Sequence, residues 1–148
     1  MLTIKNINEA LNQASANRTR LIFILPSEKL KAGDMLERLN LNELLAERLL
    51  NVARKDRAKD ISQILTSLIN ASSKDVILLT GIEILFDRCL AVDPVRLLSA
   101  CAKNKTLLVF WPGDKTSFGL SYAGASHPEH RTYKASDLSD VIYLEADD

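Results

Sequence analysis

Three short stretches constrain this chain more than anything else in it: LIFIL at 21–25, VILLT at 76–80 and TLLVF at 106–110. Each is almost wholly apolar and lacks the apolar–polar alternation of a half-exposed strand. Runs of this kind are expected of strands covered on both faces, the situation found in parallel sheets with helices above and below. The intervening sequence has helical period. Ile4, Ile7, Ala10, Leu11 and Ala14 share one face, as do Leu44, Leu45, Arg48, Leu49 and Val52. Ile61, Ile64, Leu65, Leu68 and Ile69 form a third stripe, with Asp60 placed to cap it. Asp93-Pro94 sets an aspartate at N-cap and a proline at the first helical position of a fourth helix, which carries Val95, Leu97, Leu98 and Cys101. A short alternating strand is expected in Arg38–Asn42. The predicted fold class is α/β: a three-layer, mostly parallel central sheet with helices on both faces.

The length, 148 residues, suits one domain over 1–148, with an N-terminal helix within 1–19. Residues 114–148 read as an irregular C-terminal part with short strands, only RTYK and VIYL looking extended. Lysine plus arginine equals aspartate plus glutamate at 19 each, so net charge gives no warrant for strong nonspecific attraction to DNA. A local basic cluster, Arg54, Lys55, Arg57 and Lys59, is diluted by Asp56 and Asp60 and reads as a solvated helix end. Cys89 and Cys101 belong to no CxxC pair and are expected to be reduced and largely buried. With no run of ~18 apolar residues and a polar N-terminus, the expected location is cytoplasmic, with no membrane partner.

In open α/β sheets ligands sit beyond the carboxyl ends of the strands. Three such ends matter here. The first, Leu25-Pro26-Ser27-Glu28-Lys29, has the shape of a phosphate loop without its glycines. The motif GxxxxGK[ST] needs glycine so that backbone N–H groups can curl around phosphates. Ser27 and Lys29 are present, and Lys29 is the candidate phosphate ligand. The second end, Thr80-Gly81-Ile82-Glu83, places a neutral hydroxyl where an acid would hold hydrated Mg²⁺. Thr80 is the weak nucleotide-site candidate there, and Glu83 is the candidate to polarise a water or, alternatively, to pair with Arg88. At the third, Phe110-Trp111-Pro112-Gly113, Trp111 reads as a packing aromatic rather than a base-stacking platform. His127 and His130 lack further ligands at metal spacing, so no metal site is expected, and no GxSxG elbow follows a strand.

Four stretches taken together resemble a known family: LNLNELLAERLL at 39–50, VILLTGIEILFD at 76–87, VDPVRLLSACAKNKTLLVFWPG at 92–113 and LSYAGASHPEHRTYKASDL at 120–138. They resemble the BrxF family, the small P-loop proteins of type 3 bacteriophage-exclusion (BREX) systems, over residues 20–140. The resemblance implies a P-loop NTPase-like fold and membership of a multi-protein antiphage defence system that recognises and methylates host DNA. The family carries an intact glycine-rich loop and an acid where Thr80 stands. This chain departs at both, and Leu25 to Leu39 is short for a helix after the loop. The resemblance therefore implies a component with degenerate nucleotide motifs that acts through assembly with other BREX proteins and with copies of itself. The alternatives are an active ATPase using ATP and Mg²⁺, with Arg88, Arg96 or Arg131 supplied across a subunit interface, and a DNA-binding accessory module using the 54–59 cluster.

Overall fold

The computed structural model describes residues 4–25 and 37–145, with side chains from Asn6 onward. Helix α1 spans Ile4–Ala16 and leads into strand β1, Leu21–Leu25. Strand β2, Glu37–Asn40, runs directly into helix α2, Leu41–Leu50. Helix α3 is Arg57–Asn70, strand β3 Val76–Thr80, helix α4 Pro94–Cys101 and strand β4 Thr106–Phe110. Three short strands follow: β5 at Asp114–Lys115, β6 at Gly119–Tyr122 and β7 at Arg131–Lys134. Strand β8, Val141–Glu145, closes the described chain.

Five strands form one parallel sheet in the order β2-β3-β4-β1-β8. The expected α/β architecture is therefore observed, and the three apolar runs are its three central strands. Alternate residues of those strands enter opposite cores, because side chains along a strand point to alternate faces. Ile22, Ile24, Leu78, Leu108 and Ile142 pack with Ile7, Ala10 and Ala14 of α1. Leu21, Phe23, Ile77, Leu79, Leu107 and Val109 pack on the other face, in the core that also holds the apolar stripes of α2, α3 and α4. Burial on both sides is why these runs show no polar alternation.

Several expected boundaries move. The strand expected in Arg38–Asn42 stops at Asn40, which has extended backbone and caps α2 by accepting a hydrogen bond from the Glu43 N–H at 3.3 Å. An asparagine that caps a helix ends the strand before it, so Leu41 and Asn42 are helical. Asp60 does not cap α3. The helix begins at Arg57 after a 3₁₀ turn over Arg54–Asp56, and Asp60 lies in its first turn, where a carboxylate still complements the helix dipole. The basic cluster at 54–59 is this helix start, with the Arg57 Nε–H donating to the Val52 carbonyl at 3.1 Å.

The C-terminal part is more ordered than expected. VIYL belongs to β8, which pairs in parallel with β1 from Leu21–Val141 to Leu25–Glu145 and adds an edge strand to the central sheet. Between β4 and β8 the chain builds a separate antiparallel sheet, β5-β6-β7. Cys101 is buried and Cys89 exposed, so the expectation of two buried thiols fails for Cys89; both are free. No helix among the described residues is long and apolar enough to cross a membrane.

Candidate functional site

Because all five strands run the same way, the carboxyl ends of β1, β4 and β3 lie side by side, with β4 between the other two. Sequence reasoning singled out these three ends, and the sheet brings them to one edge. Ser27 and Lys29 lie outside the described residues.

At the β3 end, Thr80 is half-buried and in register with Asn40 of β2. The chain then turns through Gly81, whose φ of +62° is left-handed, into a 3₁₀ turn over Ile82–Phe86. A Cβ at Gly81 would stand 2.5 Å from Asn40 Oδ1 and 3.1 Å from Asn42 Nδ2. Both the torsion and the crowding call for glycine. The turn aims Glu83 back at the start of α2, where the Asn42 Nδ2–H donates to Glu83 Oε2 at 2.7 Å. The other end of the same amide is fixed as well: the Ile84 N–H donates to Asn42 Oδ1 at 3.0 Å. The partner of Glu83 is thus Asn42, not Arg88. Asn42 is the site residue that sequence reasoning missed. Its signal was present in LNLN, two asparagines at the mouth of a helix, but only the fold that pairs β2 with β3 brings the second of them, Asn42, to Glu83.

The β4 end is an aromatic plug. Trp111 is 1% exposed and stacks on Phe23 of β1 with ring centroids 5.2 Å apart. Phe86 and Tyr133 meet it edge-on at 5.7 and 5.9 Å. Its indole N–H donates to the Ser121 carbonyl at 3.0 Å, which satisfies the one polar atom of the ring. Trp111 is core, as expected, and is closed to base stacking. Tyr122 stacks on Phe86 at 3.8 Å. Its hydroxyl pKa is raised by burial, then by the Glu129 and Glu83 carboxylates. The small β5-β6-β7 sheet is therefore fastened over the strand ends by aromatic rings.

The three candidate arginines gather along the seam between the start of α4 and β7. Arg88 and Arg131 line a cleft of about 550 Å³ together with His130. Arg131 and Arg96 line a neighbouring cleft of about 400 Å³ with Asp93 and Tyr133. Arg131 Nη2 donates to the Val92 carbonyl at 3.0 Å. The Tyr133 hydroxyl donates to Asp93 Oδ1 at 3.0 Å, and that oxygen also caps α4 by accepting from the Val95 and Arg96 N–H groups. Burial and the Asp93 carboxylate push the Tyr133 hydroxyl pKa well up. Among the described residues none of these arginines hydrogen-bonds to Glu83 or Thr80. His127 and His130 shape their own loop: the Glu129 N–H donates to His127 Nδ1, and His130 Nδ1 meets the Ala123 carbonyl, both at 3.0 Å.

No protein-family model matches the chain, and no curated protein or solved structure is significantly similar to it.

Proposed function

We propose that the chain is a P-loop NTPase-like subunit of a BREX antiphage defence system, with degenerate nucleotide motifs, that works by assembling with other proteins of that system and with copies of itself. The order β2-β3-β4-β1-β8 supports the P-loop part of the reading. It keeps the strand before a phosphate loop in the interior of the sheet and sets the β3 and β4 ends beside it. The resemblance of residues 20–140 to the BrxF family supports the rest.

One observation carries the loss of nucleotide chemistry. Among the described residues at the β3 end, the Glu83 carboxylate is already tied to Asn42, and the strand-end residue itself is the uncharged Thr80. Hydrated Mg²⁺ is held through carboxylates, so this donor set does not fit it. Assembly has candidate anchors in Leu50 and Phe118, large apolar side chains 78% and 79% exposed.

Calorimetry with ATP and Mg²⁺ tests the reading. The expected result is no saturable binding at micromolar concentration, in the native chain or in Lys29→Ala. Micromolar binding that Lys29→Ala abolishes would replace it with the second reading, an active ATPase. That alternative draws on one observation: Asn42 holds Glu83 in a single orientation at the strand ends, as a positioned general base would need. Co-purification from a host with and without the neighbouring defence proteins, read with light scattering, tests assembly. Leu50→Asp or Phe118→Asp is expected to release partners or reduce self-association.

A further inference from the structure

The opposite end of the sheet carries a different chemistry, one that does not depend on the reading above. Two adjoining clefts of about 420 and 340 Å³ open at the amino ends of β1 and β4, and both are lined by Arg18, Thr19 and Arg20. Lys103 and Ser99 complete the larger one, with Asp140 as its single acid. Lys105 stands beside them at the start of β4, its Nζ donating to the Ser72 and Lys74 carbonyls at 2.9 and 2.6 Å. The zero net charge of the chain thus conceals an uneven distribution. Arg18, Arg20 and Lys103 are exposed, and among the described residues no hydrogen bond or ion pair engages their side chains. The Asp140 main-chain carbonyl accepts from the Thr19 hydroxyl.

The backbone at Arg18 is the second observation. Helix α1 ends with the Thr19 N–H donating to the Ala14 carbonyl at 2.9 Å and the Arg18 N–H to the Ser15 carbonyl at 3.1 Å. This is the double hydrogen bond of a Schellman terminus, in which the left-handed position belongs to glycine. Here it is Arg18, at φ +56°. Ala91 and Ala123 adopt the same left-handed region, so the torsion by itself assigns Arg18 no role; what it does is set this residue on the wall shared by the two clefts.

We propose that this furrow binds the phosphodiester backbone of nucleic acid without reading its sequence. Guanidinium, ammonium and hydroxyl groups are the usual partners of phosphate oxygens. The lining offers no aromatic ring to stack a base or anchor a protein partner. Two open clefts joined by the Arg18–Arg20 ridge suit a chain of phosphates rather than one enclosed phosphate. The site is distinct from the 54–59 cluster at the start of α3, where the Arg57 side chain is tied to the Val52 carbonyl.

The test is fluorescence anisotropy of the full chain with a labelled 20-base-pair DNA duplex. Three cationic contacts give a log–log salt slope of about −2.7, so affinity should fall roughly 40-fold between 50 and 200 mM salt. Arg18→Gly should lessen that slope by about 0.9. It should also raise the melting temperature by roughly 2–4 °C, because glycine removes the torsional penalty. Weakened binding in this variant cannot then be blamed on unfolding. Lys103→Glu should weaken binding further, and Lys55→Ala with Lys59→Ala should leave it unchanged. The proposal is overturned if the duplex does not bind at 50 mM salt, or if binding follows Lys55 and Lys59 instead. It is also overturned if the slope is unmoved in Arg18→Gly, or if inorganic phosphate or ATP displaces the duplex at micromolar concentration, which would mark a small-phosphate site.

Discussion

Gly81→Ala probes the joint between the β3 end and the α2 cap. Two costs add. Alanine at φ +62° pays about 1–2 kcal/mol for left-handed backbone. Its Cβ would also lie 2.5 Å from Asn40 Oδ1, which must swing away and give up its bond to the Glu43 N–H. Loss of an asparagine cap costs about 1 kcal/mol. The sum is about 2–3 kcal/mol, read as a lower urea midpoint at unchanged slope. Asn40→Ala alone should cost about 1 kcal/mol. The double variant should cost no more than Gly81→Ala, since the cap is then lost only once. A coupling of about 1 kcal/mol is therefore expected in the cycle. Strict additivity, or a Gly81→Ala cost below about 0.5 kcal/mol, would refute the crowding and leave Gly81 an ordinary turn residue.

Other consequences are simpler to check. Trp111→Ala should cost about 3–5 kcal/mol by urea titration, because it empties the space between Phe23, Phe86 and Tyr133; a loss under about 1 kcal/mol would mean that the plug is not core. The Tyr133 hydroxyl holds its proton more tightly folded than unfolded, so its contribution is complete below the ordinary tyrosine value near 10 and is lost as pH rises past it. Tyr133→Phe should flatten part of the decline in the urea midpoint above about pH 9, leaving the shares of Tyr122 and Tyr143, whose pKa values are raised too. An undiminished decline in that variant would place the titration elsewhere. The exposed Lys115–Glu145 ion pair should be removable by Lys115→Ala with no measurable shift in midpoint.

Local sequence alone determined the central strands and most helices of this protein. A five-residue apolar run needs cover on both faces wherever it sits, and Asp93-Pro94 starts a helix whatever surrounds it. Chemistry that depends on a short motif, such as the absent glycines after Leu25 and the neutral Thr80, was equally plain. Partnerships between distant residues were not. Nothing near Val141 says that it will lie against Leu21, 120 positions earlier, or that VIYL will become an edge strand. Asn42 looked like part of an alternating strand until the β2–β3 register turned it toward Glu83, 41 residues away. Arg18 looked like a polar break until the helix end forced it left-handed beside Arg20 and Lys103. Periodicity and capping depend on neighbours three or four residues apart, and the order of residues records them. Register, burial and the meeting of charges depend on which strands pair, a choice made by the whole core at once.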